Sequence, residues 1–134
     1  MPLNPKIEQV LDMIARAKRP QYHELTAQQA RASYEKSAPI LEIASAPMFT
    51  LEDLRIPTRD GAAIRARLYQ AVEPSWAEPT PALVYYHGGG FTVGSVDTHD
   101  ALCRMFARDG RCTVLSVDYR LAPEHKFPTA VDDA

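Results

Sequence analysis

Apolar residues in the first 45 positions recur at helical spacing. Ile7, Val10, Leu11 and Ile14 share one stripe, with Glu8, Asp12 and Arg16 elsewhere on the same helix. Pro20 ends that helix or follows it closely, because proline lacks the N–H that a continuing helix needs. A second helix is predicted from Thr26, whose hydroxyl can cap it while Gln29 completes a reciprocal capping box. It runs towards Ser37 before Pro39 stops it. Neither short helix can bury its stripe alone, so both must dock on the rest of the chain or on another molecule.

From Phe49 the period changes to two. Leu51, Asp53 and Arg55 alternate with Leu54 and Ile56, the turn chemistry of Thr58-Arg59-Asp60-Gly61 follows, and Ile64, Ala66 and Leu68 then alternate with Arg65 and Arg67. These read as an antiparallel hairpin with one wet face. The stretch 73–81, with Pro74, Pro79 and Pro81, is an irregular connection. Ala82-Leu83-Val84-Tyr85-Tyr86 is a continuous apolar run, predicting a strand buried on both faces. A glycine loop comes next, then a helix over about 98–109 with Ala101, Leu102, Met105 and Phe106 on one side and Gly110 at its end. Thr113-Val114-Leu115-Ser116-Val117 is a second buried strand, and Pro128 opens a further helix. The pattern is α/β: a helical segment over 1–45, then over 46–134 a β-hairpin leading into a parallel sheet. Two central strands do not close a core, so the fold is expected to be incomplete as it stands.

Composition narrows the functional classes. With 134 residues, 46% hydrophobic and 24% charged, the chain is globular in character. A net charge of −2 with both signs interspersed does not point to nucleic acid or an anionic membrane. No apolar run approaches the roughly 18–20 residues of a membrane span, and charges interrupt the N-terminal apolar stretch where a signal peptide needs an unbroken one. A cytoplasmic location is the expectation. Cys103 and Cys112 form neither a metal pattern nor a disulfide framework and read as small apolar residues. His23, His87, His99 and His125 have no metal-ligand spacing.

The chemistry concentrates in His87-Gly88-Gly89-Gly90-Phe91, directly after the first apolar strand. Consecutive glycines cost conformational entropy and are kept where backbone takes positive φ or lies bare against a ligand. At the carboxyl end of a parallel strand, bare backbone presents N–H donors to the crevice where α/β folds bind ligands. Such donors can stabilise the oxyanion of acyl transfer. A phosphate loop fits worse: Gly89 and Gly94 have its spacing, but Ser95-Val96 stands where Lys-Ser/Thr is required. The dinucleotide fingerprint fails too, with Val93 at its third glycine. A purely structural turn is the remaining alternative.

With these residues in view, the chain resembles the hormone-sensitive-lipase-like family of α/β-hydrolase carboxylesterases. The resemblance runs from Leu83 through the glycine loop to Ser95 and Asp97-Thr98-His99, then resumes at Asp118-Tyr119-Arg120-Leu121-Ala122-Pro123-Glu124-His125 and Phe127-Pro128. Tyr86 departs from the aliphatic residue usual before the histidine. The resemblance implies that Gly89 and Gly90 donate to the oxyanion, with Gly88 setting the turn. It implies a loop-fixing role for His87 and an acyl-pocket wall of Phe91 and Val93. The block from Asp118 to Glu124 becomes a structural clamp, and the N-terminal helices become a cap. A small-molecule ester of short-to-medium acyl length is the implied substrate, with no cofactor and no metal.

Ester hydrolysis on this fold needs a serine at a Gly-x-Ser-x-Gly elbow, followed by an acid and a histidine. No such elbow occurs in these residues. Ser95 follows a loop, Ser116 lies inside a strand, and His99 and His125 violate the chain order of the triad. The chain alone is therefore expected to be inactive, as a truncated product, a short gene product, or one of two chains that complete the fold. The expected protein partner is the C-terminal half on a second chain, or another copy of this one. Two alternatives stand beside the esterase: a non-catalytic ligand-binding homologue and a self-sufficient small α/β domain.

Overall fold

The computed structural model describes residues 2–42, 44–75 and 79–134. Helix α1 spans Pro5–Arg16, capped by the Asn4 side chain, which accepts from the Lys6 N–H at 2.9 Å. Its apolar stripe stays half-exposed at Ile7, Leu11 and Ile14, and the helix buries no residue. Helix α2 spans Ala27–Leu41 and begins with the expected capping box: Thr26 Oγ1 accepts from Gln29 N, and Gln29 Oε1 accepts from Thr26 N. Contrary to expectation, Pro39 lies inside this helix. It sits in the last turn, where both it and Glu35 are exposed, so the one carbonyl deprived of a donor is open to water.

Strands β1 (Thr50–Pro57) and β2 (Ala63–Gln70) form the expected antiparallel hairpin, Thr50 opposite Gln70 and Pro57 opposite Ala63. Strand β3 (Ala82–Tyr86) leads through helix α3 (Asp100–Asp109) to β4 (Thr113–Asp118), which pairs parallel to β3 and antiparallel to β2. The sheet order is β1-β2-β4-β3. A short helix, α4 (Thr129–Asp132), follows with Pro128 at its N-cap. Helix α3 starts later than the sequence suggests because Ser95 and Thr98 form a reciprocal turn ahead of it. Ser95 N donates to Thr98 Oγ1 at 2.8 Å, and Thr98 N donates to Ser95 Oγ at 3.2 Å.

The core lies between the sheet and α3, where Tyr69, Cys103, Ala107 and Val114 meet. Cys103 is a buried core residue with its thiol pushed up to about 11 by that burial. Tyr69 keeps its hydroxyl satisfied by donating to Asp100 Oδ1 at 3.0 Å, and Arg67 and Arg104 neutralise the same carboxylate. One expectation fails. Strand β3 is not buried on both faces: Leu83, Val84 and Tyr86 are 37%, 49% and 41% exposed. Its apolar run is at least as continuous as that of β4, yet it is the edge strand, and its far side meets no neighbour among the described residues. The more polar β4, flanked on both sides, gives buried Val114, Ser116 and Val117. Among the described residues no helix is long and apolar enough to cross a membrane.

Candidate active site

Because β3 and β4 are parallel, the segments after both strands emerge at one end of the sheet. That brings the glycine loop after Tyr86 against the turn after Asp118. His87 is buried and stacks on Tyr119, ring centroids 4.4 Å apart and planes at 15°. On another side the His99 ring stacks on it at 5.4 Å. Phe91 lies edge-on to Tyr119 at 6.2 Å and leaves over half of its surface exposed at the mouth of the loop.

The carbonyls of this loop are held one after another. Tyr119 Oη donates to His87 O at 2.6 Å. His87 Nδ1 lies 2.9 Å from Gly88 O; a carbonyl only accepts, so Nδ1 carries the proton. Gly89 O accepts from both Thr92 N (3.1 Å) and Val93 N (3.0 Å). Thr92 Oγ1 donates to Gly90 O at 3.2 Å, and Ala122 N donates to Phe91 O at 2.8 Å. In a trans peptide the C=O of one residue and the N–H of the next point in opposite directions. Fixing the His87, Gly88 and Gly89 carbonyls therefore aims the N–H groups of Gly88, Gly89 and Gly90 away from those partners. Among the described residues, none of these three N–H groups donates a hydrogen bond.

Gly89 is where this geometry demands glycine. It has φ +134°, and a Cβ there would collide with the Val93 carbonyl oxygen that crosses beneath it. Val93 is thus packed under the loop as well as beside it. Phe91 also takes positive φ, +58°, a conformation that side chains adopt at a cost and that its held carbonyl maintains.

Around the loop, buried polarity is partnered at Asp118 and His99 but not at His87 Nε2. Asp118 accepts from Val96 N at 3.1 Å, and burial raises its carboxyl pKa. His87 Nε2 faces Asp118 Oδ1 at 3.9 Å, beyond hydrogen-bond reach, and finds no partner among the described residues. His99 has its pKa lowered by burial and by the adjacent His87, while its Nδ1 sits 3.0 Å from Thr98 Oγ1. Arg120 engages Asp133 through two nitrogens and Asp60 through the third, tying the end of β4 to α4 and to the hairpin turn. That is a clamp, as the sequence suggested. Ser116 lies fully buried inside β4, Ser95 in its turn, and His125 on the exposed segment beyond Glu124.

Two site residues escaped the sequence. Tyr119 was visible only as part of a motif, and nothing marked its hydroxyl for the His87 carbonyl. Arg31, on α2, sends Nε to Thr92 O (2.7 Å), Nη2 to Ala122 O (2.6 Å), and both terminal nitrogens to the Glu124 carboxylate (2.9 and 2.6 Å). That fork holds Glu124 down to a pKa of about 2. The sequence shows Arg31 as one basic residue on a capped helix, with Glu35 one turn on as its apparent partner.

Residues 83–134 match a family described by the alpha/beta hydrolase fold. An ethyl acetate hydrolase of Pseudomonas putida is 39% identical over 138 residues, covering 100% of this chain and 43% of that protein. The carboxylic ester hydrolase LipN of Mycobacterium tuberculosis is 58% identical over 82 residues, 61% of this chain and 21% of its own length. A solved hyperthermophilic esterase from the archaeon Pyrobaculum calidifontis superposes with a TM-score of 0.85 at 45% identity, covering 99% of this chain and 41% of that one. Fold and matches together define an α/β-hydrolase-fold protein. More narrowly, the matched stretch is similar to ester hydrolases of this fold, and the chain spans about two fifths of the length of such relatives.

Proposed function

We propose that these residues form the oxyanion-binding part of a carboxylic ester hydrolase acting on small esters of short-to-medium acyl length. Gly89 and Gly90 donate their N–H groups to the acyl oxygen as it turns anionic, Gly88 sets the turn, and His87 fixes the loop by holding the Gly88 carbonyl. Phe91 and Val93 wall the acyl side. Residues 1–45 act as a cap over the part of the core formed by 46–134. The reading rests on one observation above the others: a run of N–H donors left unengaged while the carbonyls of the same loop are pinned. Donors fixed in advance cost no reorganisation when charge develops, and each is worth about 3–4 kcal/mol of transition-state stabilisation. The similarity to an ethyl acetate hydrolase and to a carboxylic ester hydrolase supports the same reading.

The 134 residues contain no Gly-x-Ser-x-Gly sequence, so the attacking serine is not among them. Hydrolysis of p-nitrophenyl butyrate tests both halves of the reading. The complete protein should turn over this ester, whereas residues 1–134 alone should not exceed the buffer rate. A complete protein inert towards acetate, butyrate and octanoate esters overturns the esterase assignment. Turnover by the isolated residues overturns the division of labour.

A further inference from the structure

We infer that Arg31 is a positioning residue for the oxyanion donors, linking α2 to the glycine loop; the inference rests on the oxyanion reading above. Its action can be followed plane by plane. The Thr92 carbonyl that receives Arg31 Nε belongs to the same peptide unit as the Val93 N–H. Holding that oxygen turns the Val93 N–H the opposite way, where it donates to Gly89 O at 3.0 Å. Gly89 O in turn shares its peptide unit with the Gly90 N–H. Two rigid planes and two hydrogen bonds therefore link the Arg31 guanidinium to an oxyanion donor.

The guanidinium holds the opposite wall as well. Nη2 donates to Ala122 O, and Ala122 N donates to Phe91 O, so one side chain clamps the loop and the turn it packs against. The planar fork suits this role, because its fixed donors reach two carbonyls and bind a carboxylate bidentately, four bonds where an ammonium has three donors. Glu124 completes the fork and keeps the guanidinium from swinging into solvent. The Arg31 side chain is only 23% exposed, and the neighbouring Ala30 is buried, which fixes this face of α2 against the loop.

The test compares Arg31→Ala, Arg31→Lys and Thr26→Ala in the complete protein. Thr26→Ala removes the α2 cap and lowers Tm without touching any Arg31 bond. Arg31→Ala should lower kcat on p-nitrophenyl butyrate about tenfold to a hundredfold, the scale of a small misplacement of catalytic groups, with KM little changed. Amide exchange measured by NMR should show Val93 losing about tenfold in protection as its acceptor drifts. Arg31→Lys should fall between, and added methylguanidinium should recover part of the loss in Arg31→Ala. An Arg31→Ala protein with kcat and Val93 protection unchanged overturns the inference, and leaves the oxyanion reading standing. So does a Thr26→Ala protein that loses as much kcat as Arg31→Ala, since the effect would then be stability alone. If the complete wild-type protein cleaves no ester, the oxyanion reading fails and the Val93 exchange result decides on Arg31 by itself.

Discussion

The hairpin turn at 58–61 and the glycine loop at 87–94 are both glycine-bearing reversals, held in opposite ways. The hairpin turn is largely its own scaffold. Thr58 N donates to Ala62 O, Gly61 N to Thr58 O, and Ala62 N to the Asp60 carboxylate, all within a short local segment. Among the described residues, the Asp60 contact with Arg120 is what reaches out of it. The glycine loop closes on itself through Gly89 O and Gly90 O, but its entry and exit are set by Tyr119, Ala122 and Arg31, from other segments of the chain. A locally satisfied turn has nothing left to offer a ligand. A loop whose carbonyls are held partly by its own residues and partly by other segments keeps its glycine N–H groups free. Reversal of the chain and presentation of donors are thus different problems, and the second one needs tertiary partners.

Alanine at one glycine of each region should separate the two most widely. Gly61 has φ +84° with open space around the added carbon, so Gly61→Ala should cost only the left-handed strain, about 1–2 kcal/mol of stability. Hydrolysis by the complete protein should be unaffected. At Gly89 the added carbon meets backbone, which cannot move aside without releasing the Val93 and Thr92 bonds to Gly89 O. Loss of one aligned donor corresponds to about a hundredfold to thousandfold in kcat. Urea unfolding and ester kinetics on both variants decide it. Equal activity losses would mean that the two glycines serve the fold alike and that the contrast is false.

Tyr119→Phe probes the same contrast more gently, since it deletes one hydroxyl and keeps the ring stacked on His87. The His87 carbonyl then loses a partner in a buried site, at about 1–3 kcal/mol. That carbonyl orients the peptide plane joining His87 to Gly88, so the Gly88 N–H should wander and kcat should fall about tenfold. Unchanged kcat together with a lowered urea midpoint would confine Tyr119 to stability and remove it from the positioning chain.

The sequence disclosed the hairpin turn fully because Thr58, Asp60 and Gly61 carry their partners with them. The glycine loop was legible in composition and place: three glycines after an apolar strand limit what the backbone can do there. Its orientation was not legible, because the Tyr119 hydroxyl and the Arg31 fork arrive from 32 and 61 residues away in the chain. Strand β3 shows the same limit. An apolar run reports that a strand can be buried, whereas actual burial depends on which neighbours flank it, and here β4 alone does among the described residues. Pro39 is the converse case, a local rule outweighed because the final helical turn loses only one bond.

The smallest expected difference lies in how the two regions respond to acid. On the hairpin, Arg67 and Arg65 hold the Asp53 carboxyl down to about 2. A depressed carboxylate stabilises the fold in full above the ordinary value of 3.8, and that contribution is lost as pH falls towards about 2. Beside the glycine loop, His99 is the responsive group, packed by His87, Tyr34 and Tyr85 with Thr98 and Ser95 at its Nδ1. Its pKa lies below the ordinary 6.5 because burial and His87 disfavour the charged ring. Below pH 6.5 the unfolded chain takes up a proton that the fold resists, so stability drops through that window until the folded ring is protonated too. Urea midpoints followed downward from pH 8 should therefore decline in two steps, the first from His99 beside the loop and the second from the depressed carboxylates, Asp53 of the hairpin among them. His99→Gln should erase the first step and spare the second, while Asp53→Asn should spare the first and only shrink the second, which the depressed Glu124 carboxyl shares. A single step abolished by either substitution would show the two regions to be one electrostatic unit.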